Sequence, residues 1–267
     1  MGNVLLINDL SGVGNCSLTA NIQIFSVLGI RCYPLPTAVF SSQTQIEGFV
    51  QNTNTKFNEF LSHMTKTVPL LDCLYTGYFA SSEQIRQVSE FVTQTLPEMV
   101  FVDPVMADNG VPYPNCSEEL LYEMKGLVSR ADVITPNLTE ACLLAGTNYA
   151  DYKTDTLKRA KMLAQYLHGT YGAVCVITGV IEGDTIYTVY CDGDTHYTHN
   201  PLIKQIYSGA GDVFSSVMCG ELMLTHATSR SCKIATNFAY ECLVDTPIAN
   251  MHGLNTEPHL YSLSKMK

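Results

Sequence analysis

The stretch Val4-Leu5-Leu6-Ile7-Asn8 is a short apolar run near the amino terminus of a 267-residue chain. Apolar residues at helical spacing follow it from Asn15 to Leu28, and Gly29 ends that pattern. A buried strand followed by an amphipathic helix is the repeating unit of α/β proteins. This stretch therefore predicts an α/β fold in which residues 4–8 form the first strand.

The same alternation continues along the rest of the chain. The predicted strands are 31–40, 71–77, 99–102, 133–135 and 173–178, and the predicted helices are 82–95 with Ser82 as N-cap, 117–128, 139–145, 156–167, 211–224 and 231–243. Two alternating segments, 185–190 and 195–198, flank Asp192-Gly193 and predict a hairpin. We expect a mostly parallel sheet covered by helices on both faces, with an antiparallel edge.

Composition limits the possible partners. The chain has 15 basic and 25 acidic residues, a formal net charge of −10 and 46% hydrophobic residues. This apolar content excludes a disordered chain, and the negative charge argues against nucleic acid or an anionic membrane as partner. Without a linker, a signal segment or a long apolar run, we expect a cytoplasmic protein with a single domain over residues 1–267.

Ten cysteines are scattered through the sequence. They form no C-x-x-C pair and no zinc-type spacing with histidine, and most lie in apolar runs such as Val174-Cys175-Val176. We expect reduced, buried thiols that act as small apolar side chains.

The segment Ser208-Gly209-Ala210-Gly211-Asp212 precedes a long apolar helix. Two glycines allow a tight bend, and the start of the helix adds partial positive charge, so the loop can bind an anion without lysine. A carboxylate beside such an anion site suggests proton removal from a hydroxyl that attacks phosphorus. The alternative is a plain glycine loop in which Asp212 caps the helix.

Further acidic residues follow other predicted strands, at the edge of a parallel sheet where ligands bind. Asn137 and Glu140 form either a capping box or part of a Mg²⁺ site. Asp103 and Asp108 supply two carboxylates after the strand 99–102, although Asp-Pro and Asn-Gly in the same segment are also typical of an ordinary turn. If phosphates bind nearby, a metal must offset this negative charge.

Gly12 and Gly14 match half of a dinucleotide fingerprint, but Ser17 stands at the third glycine position and no acid ends the second strand. An oxidoreductase is therefore a weaker alternative. The sequence also lacks a Walker-type loop, H-E-x-x-H and G-x-S-x-G.

Taken in order, these motifs resemble the ribokinase-like superfamily and, within it, the pyridoxal/pyridoxamine kinases. The resemblance covers nearly the whole chain and rests on the segments 8–15, 34–39, 76–78, 103–106, 134–137 with Glu140, and 209–212. It implies a three-layer α/β/α fold and Mg²⁺- and ATP-dependent phosphorylation of the 5′-hydroxymethyl group of a vitamin B6 form. It also implies a homodimer.

The resemblance further implies roles for individual residues. They are Asp212 as catalytic base; Gly209, Ala210 and Gly211 around the anion site; Ser11, Val13, Thr44 and Tyr78 at the pyridine ring; Asn137, Thr178 and Asp103 near the nucleotide; Asp108 and Glu140 at Mg²⁺; and Asp103, Thr135 and Thr178 at positions that surround K⁺ in some relatives. Gln43 and Ile46 depart from the family pattern, which has histidine and an aromatic residue there, so the preferred vitamer stays open. The alternatives are a hydroxymethylpyrimidine or sugar kinase of the same fold, or a non-catalytic B6 or nucleotide binder.

Overall fold

The computed structural model describes residues 2–44, 46–68, 70–205, 207–247 and 252–265. The chain forms two compact units, Met1–Gly77 with Ile203–Lys267, and Tyr78–Leu202. The prediction of one domain over the whole length stays a prediction.

Strands and helices alternate along the chain. The strands are β1 (Asn3–Ser11), β2 (Arg31–Phe40), β3 (Gln51–Thr53), β4 (Cys73–Thr76), β5 (Met99–Val102), β6 (Ala107–Asp108), β7 (Val111–Pro112), β8 (Val133–Ile134), β9 (Val174–Glu182), β10 (Thr185–Cys191) and β11 (Thr195–Pro201). The α-helices are α1 (Ser17–Val27), α2 (Phe57–Thr67), α3 (Ser82–Thr95), α4 (Glu118–Val128), α5 (Leu138–Ala145), α6 (Thr156–Tyr171), α7 (Ala210–Thr225), α8 (Thr228–Asp245) and α9 (Leu260–Ser264), and Tyr149–Tyr152 is a short 3₁₀-helix.

The first unit contains strands in the order β4-β1-β2-β3. β1 is parallel to both β2 and β4, whereas β3 is antiparallel to β2. Leu5, Leu6 and Ile7 are at most 1% exposed, because β1 has a neighbouring strand on each side and α1 packed on it. Helix α7 packs against α1 and α8, and Cys219 of α7 lies with its Sγ 3.5 Å from Cys73 Sγ of β4.

The pairing of β1 with β2 is irregular near its end. Between Asn8 and Leu10 the register advances by two residues in β1 but by three in β2, from Pro36 to Val39, so the extra residue is in β2, opposite Asp9. In a regular strand successive side chains point to opposite faces. A bulge in one strand of a pair bends and twists the pair locally, often beside functional sites. Here both Asn8 and Asp9 make hydrogen bonds to residues of α1.

The second unit contains strands in the order β11-β10-β9-β8-β5. β5, β8 and β9 are parallel, and β10 and β11 continue as antiparallel neighbours. Helix α6 packs on β9 and β10, and α3 packs on α4. The predicted hairpin around Asp192-Gly193 is confirmed, as is the predicted class of mostly parallel α/β fold with an antiparallel edge.

Some local predictions were wrong or incomplete. The N-cap of α3 is Ser81 rather than Ser82, since the Ser81 side chain accepts a hydrogen bond from the backbone N–H of Gln84. Helix α2, strand β3 and the small β6–β7 sheet were not predicted. Eight of the ten cysteines are buried and all ten are free thiols, as expected. Within the described ranges, no helix has the length and apolar character needed to cross a membrane.

Candidate functional site

The first turn of α7 contains an acid that follows a glycine bend in the sequence. Gly209 is the N-cap residue, with a φ of 89°, a conformation that glycine adopts without steric penalty. A Cβ atom at Gly209 would also overlap the carbonyl oxygen of Asn15. Ala210, Gly211 and Asp212 follow in the first turn, where backbone N–H groups have no partner inside the helix. This arrangement of N–H groups and helix dipole is one that binds anions.

The carboxylate of Asp212 is half-buried and accepts two N–H groups. Asn8 donates through Nδ2 to Asp212 Oδ1 at 3.1 Å, and the backbone N–H of Ser17 donates to the same carboxylate. Ser17 has a φ of 50°, which is uncommon for a residue other than glycine and often marks a functional site. Burial raises the pKa of Asp212, and the two hydrogen bonds lower it. Asp212 is therefore an oriented carboxylate that still has access to solvent.

Asn8 belongs to a polar network that joins β1 to two helices. Its Nδ2 also donates to Asn21 Oδ1 at 3.1 Å, and Asn21 Nδ2 donates to Ser216 Oγ at 2.7 Å. The Ser216 hydroxyl in turn donates to the backbone carbonyl of Asp212 at 2.6 Å. Gly77 leaves room for this network, because a Cβ there would lie 2.5 Å from Asn8 Cγ. The network fixes α1 and α7 at the end of β1.

A second carboxylate, Asp9, lies beside Asp212 and was missed by the sequence analysis. Asp9 is 4% exposed. Its Oδ1 accepts the Ser17 hydroxyl at 2.7 Å, and its Oδ2 accepts the Ser11 hydroxyl at 3.3 Å. Burial, and then the charge of Asp212, raise the pKa of Asp9 to about 7. The available signal was an acid near the end of an apolar strand, two positions before Ser11.

In the second unit, Glu140 lies at the centre of a buried polar cluster. Its Oε1 accepts the backbone N–H groups of Met106 at 3.0 Å and Ala107 at 3.4 Å, and its Oε2 accepts that of Asn137 at 2.8 Å. Burial and the nearby Asp103 carboxylate hold the pKa of Glu140 well above its usual value, against these hydrogen bonds. Glu140 thus organises the segment that follows β5.

The capping-box interpretation of Asn137 and Glu140 is confirmed. Asn137 Oδ1 accepts the backbone N–H groups of Thr139 at 2.9 Å and Glu140 at 3.0 Å, and the Glu140 side chain accepts the N–H of Asn137. Asn137 Nδ2 donates to the Ala107 carbonyl at 2.7 Å. The cap therefore fixes both the start of α5 and the chain leading to Asp108.

Asp108 lies at the end of β6 and is half-buried. Its two oxygens accept the backbone N–H and the side-chain Nδ2 of Asn109, each at 2.9 Å. Burial raises the pKa of Asp108, while both hydrogen bonds lower it.

These carboxylates suit a hard cation that also binds phosphate. Within the part of the chain described, no group of three or more His, Cys, Asp or Glu side chains could hold a metal ion. Mg²⁺, however, commonly uses one or two protein carboxylates together with phosphate oxygens and water. Asp108 and Glu140, the two residues predicted at Mg²⁺, both supply carboxylate oxygens, and a cation there would also offset the repulsion between Glu140 and the buried Asp103. The donor set therefore fits Mg²⁺ bound with a nucleotide.

Thr135 and Asp103 directly follow the short strands β8 and β5, and Thr178 lies in the middle of the longer β9. Thr135 is buried and donates its N–H to the Val102 carbonyl at 3.1 Å. Thr178 is half-buried, donates its N–H to the Pro136 carbonyl at 3.0 Å and forms a bridge with Asn137. Since β5 pairs with β8 and β8 with β9, these residues lie along one edge of the sheet.

Three of the four residues predicted at the pyridine ring are in the first unit. Ser11 is buried, Val13 is 42% exposed, and Thr44 is exposed. The backbone N–H of Gln43 donates to the Val13 carbonyl at 2.7 Å, so the loop that contains Thr44 lies beside Val13. Tyr78, the fourth residue, is half-buried and begins the second unit.

A mostly parallel sheet and a glycine-capped α7 with an acid in its first turn define the class of ribokinase-like α/β kinases. More closely, the chain belongs to the phosphomethylpyrimidine kinase family, whose model matches residues 12–256. The resemblance drawn from the sequence motifs is confirmed at this level.

Two solved structures are similar over nearly the full chain. One is a protein of Bacteroides thetaiotaomicron assigned as a phosphomethylpyrimidine kinase, in a crystal form with pyridoxal; it is 33% identical, with a TM-score of 0.89, and the match covers 98% of this chain and 95% of that one. The other is pyridoxal kinase from Lactobacillus plantarum, 25% identical, with a TM-score of 0.91 and coverage of 100% and 98%.

Among curated relatives, pyridoxine kinase of Bacillus subtilis is 30% identical over 159 residues, which is 57% of this chain and 56% of that protein. The chain spans about half the length of the first curated relatives that it matches.

Proposed function

We propose that the protein transfers the γ-phosphoryl group of ATP to the 5′-hydroxymethyl group of a B6 vitamer, that is, pyridoxal, pyridoxamine or pyridoxine. The observation that carries this proposal is Asp212 in the first turn of α7, behind Gly209, with its carboxylate oriented by Asn8 and Ser17. Pyridoxal in a crystal form of the Bacteroides relative, and the activity for which the Lactobacillus relative is named, support the choice of substrate.

In this mechanism the substrate hydroxyl oxygen attacks the γ-phosphorus, and the bond from that phosphorus to the oxygen of the departing ADP breaks. The hydroxyl proton goes to Asp212, which acts as general base late in the transfer. The backbone N–H groups of Gly209, Ala210 and Gly211 stabilise charge on the transferring phosphoryl group. Positioning and electrostatics supply most of the rate, because the protein forms no covalent bond to phosphorus.

Residues of the second unit have proposed roles toward the nucleotide. Asn137, Thr178 and Asp103 would face the phosphates, and Asp108 and Glu140 would hold Mg²⁺. When bound, Mg²⁺ neutralises phosphate charge. Asp103, Thr135 and Thr178 are also the proposed surroundings of K⁺.

Ser11, Val13 and Thr44 of the first unit are proposed contacts of the pyridine ring, and so is Tyr78 of the second unit. Val13 has an exposed apolar side chain suited to a ring face, and the exposed Thr44 hydroxyl is suited to a polar ring substituent.

The test is a substrate panel with the purified protein and ATP, in which both ADP and the phosphorylated product are measured. We expect Asp212→Asn to lower turnover by about 10²–10⁴-fold while nucleotide binding, measured by calorimetry, stays nearly unchanged. Glu118→Gln is the matched control, since Glu118 is an exposed acid in the first turn of α4. Equal turnover in Asp212→Asn and the parent protein would refute the role of Asp212.

A second candidate is a hydroxymethylpyrimidine kinase, favoured by the family whose model the chain matches. Both activities phosphorylate a hydroxymethyl group on a nitrogen heterocycle, so the same base and anion site serve either. The ratio of kcat/KM values for pyridoxal and hydroxymethylpyrimidine in the panel decides between them.

The homodimer and the cytoplasmic location implied by the resemblance are also part of the proposal. Sedimentation analysis of the purified chain tests the first, and cell fractionation tests the second.

A further inference from the structure

Asp9 and Asp212 share their hydrogen-bond partners. Ser17 donates its hydroxyl to Asp9 at 2.7 Å and its backbone N–H to Asp212. Asn8 accepts the backbone N–H of Asp9 at 3.0 Å and donates to Asp212 at 3.1 Å. Ser17 and Asn8 therefore connect the two acids.

The backbone is unusual at two places near these acids. Ser17 has a φ of 50°, and β2 has one extra residue opposite Asp9. Such deviations are costly and persist only where the surrounding structure holds them. With this backbone, Ser17 directs its hydroxyl to the Asp9 carboxylate and its N–H to the Asp212 carboxylate, and Asn8 reaches Asp212 from the adjacent position of β1.

No cation compensates Asp9 among the ion pairs of the described residues. The titratable groups that face it are Asp212 from α7 and Cys16 at the N-cap of α1. Burial, together with both acids, raises the pKa of Cys16 to about 12, so this thiol is neutral at physiological pH and adds no charge. A buried acid beside a second acid costs stability, and such pairs are typical of functional sites.

We propose that Asp9 is a positioning residue for Asp212: linked to it through Ser17 and Asn8, it fixes the orientation of the base and, through its own charge, sets how strongly the base holds a proton. This inference rests on the proposed role of Asp212. The substrate proton goes to Asp212 alone, and Asp9 exchanges its proton with solvent. When Asp9 is ionised, Asp212 is the stronger base; when Asp9 is protonated, Asp212 is the weaker one.

The kinetic test compares the full-length parent protein with Asp9→Asn, in which the amide imitates the protonated acid. We expect the ratio of parent to variant kcat to rise about three- to tenfold between about pH 6 and about pH 8, while KM changes by less than about twofold. A merely structural role would lower kcat by the same factor at every pH, and that result would overturn the proposal.

The second test does not depend on turnover. The protein is labelled with ¹³C at the aspartate carboxyl carbons, and the Asp9 signal is followed against pH by NMR. We expect its midpoint to fall in Asp212→Asn, where the neighbouring charge is removed, and to rise in Ser17→Ala, where the hydroxyl donor is lost. Unchanged midpoints in both variants would overturn the proposal. If no substrate of the panel is phosphorylated, the proposed function fails, whereas these midpoints still decide whether the two acids are coupled.

Discussion

Asparagine in place of Asp9 keeps the shape of the side chain and removes its charge. Asp9 is 4% exposed, and its pKa is raised from the ordinary value of 3.8 to about 7, first by burial and then by Asp212. Between these two values the folded protein holds a proton that the unfolded chain has released, so the free energy of unfolding falls as the pH rises. Once Asp9 is ionised in both states, this loss is about 4 kcal/mol.

Urea unfolding of the parent protein and of Asp9→Asn at two pH values measures this cost. We expect the free energy of unfolding of the variant, relative to that of the parent, to rise by about 2–3 kcal/mol from about pH 5 to about pH 8. Asp192→Asn is the control, because Asp192 is exposed in the β10–β11 turn and Asn-Gly suits that turn as well as Asp-Gly. The control difference should not vary with pH. A constant difference for Asp9→Asn would refute the reasoning.

Three further predictions concern the helix starts and the metal. Gly209→Ala should lower the free energy of unfolding by more than about 2 kcal/mol, because the new Cβ would overlap the backbone carbonyl of Asn15. Gly211→Ala should be nearly as stable as the parent protein, since no atom lies within 4 Å of its Cβ. Thermal unfolding of both variants checks this. Ser81→Ala should lower the free energy of unfolding by about 1 kcal/mol, and Ser82→Ala by much less. Urea unfolding of both variants measures this, and equal losses would contradict the assignment of Ser81 as the N-cap. Glu140→Gln should raise the Mg²⁺ concentration for half-maximal turnover about tenfold, and an unchanged Mg²⁺ titration would contradict its proposed role.

Elements with a strong local signal were predicted closely. β2 has the predicted bounds, Arg31–Phe40, because two prolines exclude a helix and apolar residues favour a strand. β5 also matches its prediction, and it is a buried apolar run of four residues. The glycine bend before α7 could be predicted because the glycines and Asp212 are adjacent in sequence, so this signal is local.

Features that depend on tertiary contacts could not be predicted. Helix α2 buries only Phe57 and Leu61, one turn apart, so its sequence has too little apolar periodicity. β3 has three residues and exists through its pairing with β2. The importance of Asp9 arises from Ser17 and Asp212, the latter about 200 positions away, and a single acid in a strand gives no sign of such partners.

The division of the chain has a consequence for synthesis on the ribosome. The second unit, Tyr78–Leu202, is continuous, whereas the first is assembled from both ends of the sequence. A nascent chain can therefore complete the second unit while β1 still lacks α7 and α8. Asn8 leaves the ribosome long before Asp212, its hydrogen-bond partner, so this pair of residues can form only after α7 has been synthesised. Until then the face of α1 that α7 covers in the folded protein stays exposed to solvent.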